Sequence, residues 1–565
     1  MVTVEEHRIR VETRTLSAVL ERGWLTSLVD RANGEQLLVP FDASEESAVQ
    51  LVYRGDETVR LDGVRAGEVR CRQLSPHRAE VVFHSWDGDG VLLVTEDADS
   101  GDLVIEPSAH AGRPGVLACR WTAKGLRPDL ELVAPLWQGV KLAVDDPINK
   151  NARWRWPSHW EAGLVILQGP KGGLWVHTRD DRYRYKALKF GGSSDPRAVS
   201  LDAEAYGPVD GNLSAGGLAW RVNVFQGDWH APAAVYRDWL WKAYGLHEAP
   251  SRRPEWLRRL GMAISWCPAD PELLDALARK VEPGRVLLHV PHWRTDPYDQ
   301  NYPTFEASEA GRAFIAKAQA MGFHVAPHFN SVDMDPSHPV YALVGDFQYR
   351  DVETGRLHGW AYEKGQVLSV PGSNAALAAN RRRNVMVKIH PGLATWRSVL
   401  GEAVQRAAEE LTLDTVFLDV TLTSSNLRNC FADGMTSTEG MKRLIEHVSA
   451  LGDGLSVGGE GLNEITMQGL SFAQAHLYGY GSVAEGVERT GGCALNHFLF
   501  GDLCRTIGYA MLSGKTEAEV LRMRLHEEHG AVPTVTVHSA QEILDPNPAV
   551  RQVLDRAAAG AASGS

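Results

Sequence analysis

Two acidic residues stand where short apolar runs end in the second half of the sequence. Asp419 follows the run VFL at 416–418, and Glu460 stands 41 positions later within the glycines of GGEG. Two carboxyl groups that face each other across a sugar can cleave a glycosidic bond. One, ionised, attacks or stabilises the anomeric centre, and the other, protonated, assists the leaving oxygen. The pattern therefore indicates glycoside hydrolysis.

Each acidic residue also has an ordinary structural interpretation. Asp419 could begin a helix or form an ion pair in a loop, and Glu460 could be exposed in a tight turn. Glycines beside Glu460 allow a backbone to pass close to a ligand. Glu464 lies four positions after Glu460 and is the alternative candidate for the acid/base, since a loop could bring either carboxyl group into a cleft.

Polar and aromatic residues at neighbouring strand ends are candidates for sugar binding. Sugars offer hydroxyl groups to polar side chains and apolar C–H faces to aromatic rings. At the predicted strand ends, or near them, the sequence places nine such residues: Trp266, His292, Trp293, Arg294, Asp296, His328, Asn330, His390 and His497.

The elements that would position these residues follow an alternating pattern after residue 250. Short apolar runs, each followed by a helix-like stretch, occur at 261–267, 285–293, 323–330, 415–421 and 455–461, and a sixth is indicated at 473–479. Alternating β and α elements over this length predict a (β/α)₈ barrel, in which the active site lies at the C-terminal ends of the strands. Strands seven and eight are not visible in the sequence, so closure of the barrel is an inference.

The first 250 residues have a different pattern. From Val4 to about Val224, short runs with alternating apolar residues are separated by Gly, Asn, Asp and Pro, which is typical of antiparallel strands. The predicted fold is therefore an N-terminal antiparallel β-sandwich followed by a (β/α)₈ barrel. We expect the sandwich at 1–250, the barrel at 251–535 and a C-terminal segment with a low-complexity tail at 536–565.

Charge and composition restrict the partners. With 58 Lys and Arg against 71 Asp and Glu, the net charge of −13 opposes binding to a phosphate backbone, and 381–383 is the one basic cluster noted. No run of 18 apolar residues occurs, and the first ten residues do not have the pattern of a secretory signal. We therefore expect a cytoplasmic protein that binds a small carbohydrate, with no nucleic-acid or membrane partner. The oligomeric state is left open, with a homodimer as one option.

Two stretches resemble known glycosidases. LERGWLTSLVDRANGEQLLVP resembles the start of the mutarotase-like sandwiches that precede the barrels of many α-glycosidases. IHPGLATWRSVLGEAVQRAAEELTLDTVFLDVT, followed by GGEG, resembles retaining glycoside hydrolases related to α-N-acetylgalactosaminidases and, more loosely, the α-galactosidase and α-glucosidase superfamily. The resemblance implies a retaining α-glycosidase with Asp419 as nucleophile and Glu460 as acid/base. Because the long accessory modules of endo-acting members are missing, we expect a small oligosaccharide or glycoside as substrate.

Two other functions remain open at this stage. A metal-dependent barrel hydrolase is suggested by His289, His292, His328 and His390 together with Asp419, since imidazole and carboxylate groups bind Zn²⁺. Against it, the first strand has no His-x-His pair, and six cysteines without a C-x-x-C pair do not form a zinc knuckle. We therefore expect no metal and no cofactor. The second alternative is a non-catalytic carbohydrate-binding protein.

Overall fold

The computed structural model describes residues 1–44, 46–61, 69–84, 88–146, 153–191, 197–250, 253–363, 366–369, 384–452, 454–476 and 492–562. As far as it is described, the chain forms two compact units. The first comprises Met1–Tyr244 with Tyr480–Leu499, and the second comprises Gly245–Gly479 with Phe500–Ser565. The domain bounds 1–250, 251–535 and 536–565 remain our proposal. The basic cluster at 381–383 lies outside the described residues.

Antiparallel strands make up the first unit, as the alternating pattern predicts. They are β1 Val2–Glu5, β2 Arg8–Glu12, β3 Leu16–Glu21, β4 Trp24–Asp30, β5 Val49–Val52, β6 Thr58–Arg60, β7 Val69–Ser75, β8 Arg78–Phe83, β9 Gly88–Glu96, β10 Leu103–Ala111, β11 Ala118–Lys124, β12 Glu131–Ala134, β13 Val140–Ala143, β14 Arg153–Arg155, β15 Leu164–Gln168, β16 Gly172–His177, β17 Lys186–Phe190, β18 Ala198–Glu204, β19 Ser214–Gly216 and β20 Trp220–Gln226. Helix α1, His230–Ala243, follows them.

These strands form three sheets. The first has the order β1-β2-β3-β4, and the second has the order β14-β17-β18-β11-β5-β6. The third and largest has the order β13-β12-β15-β16-β20-β10-β9-β8-β7, with β19 paired to β10. In β3 the burial of side chains alternates between buried and half-buried, as in a strand with one face on the core. The N-terminal antiparallel sheets of the predicted sandwich are thus confirmed.

The second unit contains an eight-stranded parallel sheet. Its strands are β21 Met262–Ile264, β22 Val286–Val290, β23 His324–Asn330, β28 Thr415–Asp419, β29 Ser456–Glu460, β30 Phe472–Ala475, β31 Arg505–Gly508 and β32 Thr534–Val535. Their order is β31-β30-β29-β28-β23-β22-β21-β32. A parallel bridge between Ile507 and Val532 connects the two ends of this order, so the barrel is nearly closed. The six strands predicted from the sequence are all present, and β31 and β32 supply the two that it did not reveal.

The remaining elements of this unit surround or extend the barrel. A second, antiparallel sheet has the order β24-β27-β25-β26 and consists of β24 Asp333–Met334, β25 Gly359–Glu363, β26 Gln366–Ser369 and β27 Asn384–Lys388. The α-helices in chain order are α2 Glu255–Arg259, α3 Pro271–Ala278, α4 Glu309–Met321, α5 Tyr341–Val344, α6 Ala394–Leu411, α7 Ser437–Ser449, α8 Leu495–Phe500, α9 Glu517–Glu528, α10 Ala540–Leu544 and α11 Pro548–Ala562, although most of α8 belongs to the first unit. Among the described residues, short 3₁₀ helices lie at Pro283–Arg285, Gly345–Phe347 and Thr466–Gln468 in this unit and at Arg54–Asp56 in the first unit.

Local sequence explains where the barrel helices begin and end. Ser308 caps α4 by accepting a hydrogen bond from the Gly311 N–H, and Gly322 ends the helix in the left-handed conformation with φ 90°. Thr436 and Glu439 form a capping box at the start of α7. A buried apolar cluster lies within and below the barrel strands and includes Leu257, Leu260, Ala263, Leu287, Ala326, Phe417, Phe472, Ile507 and Val532. In the described ranges, no helix has the length and apolar character needed to cross a membrane.

Candidate active site

The parallel register brings the two predicted carboxyl groups to the same edge of the barrel. β28 and β29 are neighbours, with Leu418 opposite Gly459, and each strand ends at its acidic residue. Asp419 is 7% exposed and Glu460 is 5% exposed. The two carboxyl groups are close enough for each to shift the pKa of the other. The strand ends therefore hold a buried carboxyl pair.

Three side chains surround the Oδ2 atom of Asp419. The hydroxyl group of Tyr298 and the Nδ2 of Asn330 each donate to it over 3.4 Å, and the Nε2 of His328 lies 3.5 Å away. The backbone carbonyl of Asp419 accepts from both the N–H and the hydroxyl group of Ser331. These contacts come from β23 and from the segments after β22 and β23, so three adjacent strands position this carboxyl group.

Glu460 receives a hydrogen bond at each carboxylate oxygen. The backbone N–H of Val420 donates to Oε2 over 2.8 Å, and the Nε2 of His476 donates to Oε1 over 2.7 Å. Val420 has φ 64°, an unfavourable backbone conformation for a β-branched residue. The hydroxyl group of Thr421 also bonds the Glu460 backbone at both N–H and C=O. The carboxyl group of Glu460 is thus held as an acceptor.

The environments of the two carboxyl groups displace their pKa values in opposite directions. Burial, followed by the negative charge of Glu460, raises the pKa of Asp419. Burial acts in the same sense on Glu460, but the His476 imidazole and the Val420 N–H outweigh it and lower the pKa of Glu460. In the site without substrate, a proton shared by the pair therefore resides on Asp419. The two groups titrate as a pair rather than independently.

Aromatic and imidazole rings enclose this end of the barrel. Trp266 adopts φ 57° directly after β21, and its ring lies 5.4 Å from Tyr298 and 6.3 Å from Tyr509, measured between centroids. His476 stacks on Tyr509 at 4.2 Å. Flat rings next to buried carboxyl groups are suited to packing against the C–H faces of a sugar.

A buried ion pair lies behind Asp419. The Nζ of Lys388 donates to Asp333 Oδ1 over 2.8 Å and sits 4.0 Å from the ring centroid of Trp360. The Oδ2 of Asp333 accepts from Asn330 Nδ2 over 3.1 Å, and Asn330 in turn contacts Asp419. Burial raises the pKa of Asp333, against the opposing effect of Lys388. The pair therefore supports the Asn330 side chain that bonds Asp419.

Replacing Lys388 by Met should destabilise the protein by about 3 kcal/mol, because removing one partner of a buried ion pair leaves the other without compensation. The side chains of Lys388 and Asp333 are 9% and 0% exposed. Lys317→Met is the matched control, since Lys317 pairs with Asp275 at the surface, where such a change costs less than about 1 kcal/mol. Urea unfolding of both variants measures the difference. Equal losses of unfolding free energy in the two variants would contradict a supporting role for Lys388.

Several of the predicted sugar-binding residues lie around the carboxyl pair. His328 and Asn330 contact Asp419 directly, and Trp266 packs near Tyr298 and His328. His292 is exposed, with its ring 5.8 Å from that of Tyr298. These four residues therefore border the candidate active site.

Other predicted sugar-binding residues have structural partners instead. Trp293 is fully buried and donates its Nε1–H to the carbonyl of His328. Arg294 donates to the carbonyls of Pro297, Gln300 and Thr304 and thereby holds this loop. The polar groups of these two residues are thus used within the protein, and their contact with sugar stays a prediction.

Asp296, His390, Glu464 and His497 are not among the described hydrogen-bond partners of Asp419 and Glu460. The Oδ2 of Asp296 accepts from Asn301 Nδ2 within the loop after β22. His390 is buried, with its ring nitrogens near the Cys430 carbonyl and the Gly392 N–H. Glu464 is 1% exposed, and its backbone carbonyl accepts from Gln468. His497 is on α8, in the part of that helix that belongs to the first unit.

No group of three or more His, Cys, Asp or Glu side chains that could hold a metal ion occurs within the residues described above. The histidines considered for such a site have other contacts. His289 Nε2 and His328 Nδ1 lie 3.2 Å apart, a hydrogen-bond distance. His390 is engaged elsewhere. This arrangement gives no support to the metal-dependent hydrolase considered above.

The sequence analysis missed Tyr298, His476 and Tyr509. His476 follows the sixth apolar run and could have been found by asking which polar residue ends that strand. Tyr509 follows β31, which has only four residues and was not recognised. Tyr298 lies in the loop after β22 and has no spacing signal that could reveal it.

Comparison with known proteins supports the fold. A model of a domain of unknown function (DUF6259) matches residues 218–441. None of the curated proteins searched matches the chain.

Solved structures of glycosidases are similar over nearly the whole chain. The α-N-acetylgalactosaminidase NagBb from Bifidobacterium bifidum in complex with GalNAc has a TM-score of 0.66 at 14% identity, covering 100% of this chain and 92% of that one. Its complex with Gal-NHAc-DNJ has a TM-score of 0.65 at 15% identity, with the same coverage. The GH36 α-galactosidase AgaA from Geobacillus stearothermophilus has a TM-score of 0.50 at 9% identity, covering 98% and 85%. This chain therefore shares the fold of these enzymes, with N-terminal antiparallel sheets and a nearly closed, parallel eight-stranded barrel.

Proposed function

We propose that the protein is a retaining glycoside hydrolase that cleaves an α-glycosidic bond in a small oligosaccharide or glycoside. The observation that carries this proposal is the buried pair of Asp419 and Glu460 at the C-terminal ends of adjacent barrel strands, where barrel enzymes hold their active sites. Structural similarity to an α-N-acetylgalactosaminidase and an α-galactosidase gives further support. The cytoplasm remains the proposed location.

In the first displacement, the Asp419 carboxylate attacks the anomeric carbon and forms a covalent ester with the sugar. The bond from that carbon to the leaving oxygen breaks, and the proton of Glu460 passes to this oxygen. In the second displacement, Glu460, now ionised, takes a proton from water. The water oxygen bonds to the anomeric carbon and releases Asp419. Two inversions return the product with the anomeric configuration of the substrate.

The closeness of the carboxyl groups favours this mechanism over inversion. Retaining glycosidases place their carboxyl groups about 5–5.5 Å apart, whereas inverting enzymes need about 6.5–9.5 Å to admit a water molecule. Asp419 and Glu460 end neighbouring strands and each perturbs the pKa of the other, which supports the shorter separation of a retaining enzyme.

The first displacement requires the proton on Glu460 and the charge on Asp419, the reverse of their arrangement without substrate. Binding of a sugar must therefore move the proton from Asp419 to Glu460. A sugar between the carboxyl groups would place the developing positive charge of the anomeric centre beside Asp419, and this favours its ionised form. With one proton on the pair, one carboxyl group is protonated and the other is ionised. The reaction needs one group in each of these states.

Hydrolysis of a panel of nitrophenyl glycosides tests the proposed function. We expect α-glycosides to be cleaved and β-glycosides to be left intact, starting with the α-N-acetylgalactosaminide and α-galactoside suggested by the similar structures. Proton NMR during the first turnovers should show the α-anomer of the released sugar before mutarotation. Release of the β-anomer would overturn the retaining mechanism, and binding without turnover of any glycoside would favour a carbohydrate-binding protein.

A further inference from the structure

A chain of hydrogen bonds runs through the barrel interior and ends at Asp419. It begins at the backbone carbonyl of Tyr509, which accepts from the hydroxyl group of Ser265. Because this hydroxyl hydrogen is used, the Ser265 oxygen must accept from Gln474 Nε2, 3.0 Å away. The orientation of the Gln474 amide is thereby fixed. Its nitrogen also lies 3.2 Å from His289 Nδ1.

The hydrogen-bond partners of His289 determine which of its ring nitrogens carries the hydrogen. Nδ1 faces the Gln474 amide nitrogen and the backbone N–H of Trp266, and both of these are donors. Nδ1 must therefore be the acceptor. The ring is fully buried, and burial lowers the pKa of His289 well below its usual value, so the ring is neutral. Its hydrogen is on Nε2, which donates to His328 Nδ1 over 3.2 Å.

The tautomer of His289 determines the tautomer of His328, which faces Asp419. Since its Nδ1 accepts from His289, a neutral His328 ring carries its hydrogen on Nε2. That nitrogen lies 3.5 Å from Asp419 Oδ2. A backbone donor at Trp266 and a backbone acceptor at Tyr509 thus orient the whole chain, so that its last N–H faces Asp419.

We propose that His289 is a positioning residue for Asp419: it holds His328 in the tautomer whose Nε2–H faces the carboxylate. The expected effect on catalysis rests on the proposed function, whereas the position of the hydrogen on the His328 ring does not depend on it. His289 is separated from Asp419 by His328 and therefore acts through that residue. With the opposite tautomer, a nitrogen lone pair would face Asp419 and disfavour its negative charge.

Other titratable groups also face this chain and contribute to its charge. His292 and Tyr298, from the segment after β22, lie near His328, and Glu460 and Asp333 lie near Asp419. Substitution of His289 leaves all four of these groups in place. A change in the pH profile of the variant therefore reports on the His289–His328 contact.

Nitrogen NMR of protein labelled with ¹⁵N-histidine tests the tautomer without any substrate. We expect the Nδ1 of His328 to carry no hydrogen and its Nε2 to carry one, and we expect the same arrangement in His289. The signals are assigned by their loss in His289→Gln and His328→Gln. A His328 ring with its hydrogen on Nδ1, or with both nitrogens protonated, would overturn the proposal, whatever the catalytic activity.

Kinetics of two His289 variants test the consequence for catalysis. His289→Leu removes the donor to His328, and we expect kcat/KM to fall about 10- to 100-fold, since the contact of the His328 N–H with the charged Asp419 is weakened. The basic limb of the pH profile, at which the pair loses its shared proton, should move to higher pH, because that proton resides on Asp419 and Asp419 becomes harder to ionise. His289→Gln keeps both an acceptor and a donor, so we expect most of this loss to be restored and the limb to return towards its original position.

Equal losses of kcat/KM in the two variants, with no shift of the basic limb, would contradict the positioning role. If His289→Leu fails to fold, Gln474→Leu replaces it, because this change removes one donor to His289 Nδ1 and should move the limb in the same direction. Failure of the proposed function would appear separately, as retained hydrolysis in Asp419→Asn.

Discussion

Replacing Asp419 by Asn should reduce glycoside hydrolysis by about 10⁴-fold or more, because the amide cannot form the covalent ester and catalytic groups that act together lose most of their effect when one is removed. The melting temperature of Asp419→Asn should be equal to that of the wild type or higher. The substitution removes a buried carboxyl group whose charge Glu460 opposes. Initial rates on the best nitrophenyl glycoside and thermal unfolding together measure both effects.

Asp414→Asn is the matched control for this variant. Asp414 directly precedes the same strand, its side chain is 58% exposed, and its carboxylate lies 3.7 Å from His324. We expect it to retain nearly full activity. If Asp419→Asn also retained most of its activity while remaining folded, Asp419 would not be the nucleophile.

Replacing Glu460 by Ala should have the second largest effect, and this effect should depend on the leaving group. Glycosides of poorly acidic alcohols should be hydrolysed about 10²- to 10⁴-fold more slowly, since general acid catalysis is lost. Nitrophenols need little protonation, so formation of the glycosyl enzyme from nitrophenyl glycosides should be less affected. Added azide should then restore turnover and yield a glycosyl azide of retained configuration, because azide attacks without a general base.

Glu464→Ala, compared with Glu460→Ala, distinguishes the two candidates for the acid/base. Glu464 is buried and is not among the described hydrogen-bond partners of the carboxyl pair, so we expect its variant to show neither leaving-group dependence nor rescue by azide. Rescue by azide of a Glu464→Ala variant, and not of Glu460→Ala, would transfer the acid/base role to Glu464.

The two acidic residues could be found in the sequence because parallel barrel strands are buried along their whole length. TVFLD and SVGGE are buried at every position, so their single acidic residues stand out at the strand ends. The same reasoning identified six barrel strands. It failed for RTIG and TV, since strands of four and two residues have no measurable periodicity.

The partners of the carboxyl groups could not be predicted in the same way. Their positions depend on register and on loop conformation, which a single sequence does not reveal. Trp293 follows the strand end in the sequence, yet its ring turns into the core and bonds the His328 carbonyl. Tyr298, five positions later, reaches Asp419 from a loop. The tautomers of His289 and His328 follow only from distances between five separate segments.

Trapping the covalent intermediate tests the central claim most directly. The enzyme is incubated with a 5-fluoro-α-glycosyl fluoride of the sugar preferred in the nitrophenyl panel, and the labelled peptide is identified by mass spectrometry. The account predicts one sugar per chain, attached to Asp419, and no label on Asp419→Asn. A label on Glu460 or another residue, or hydrolysis with inversion and no trapped intermediate, would contradict it.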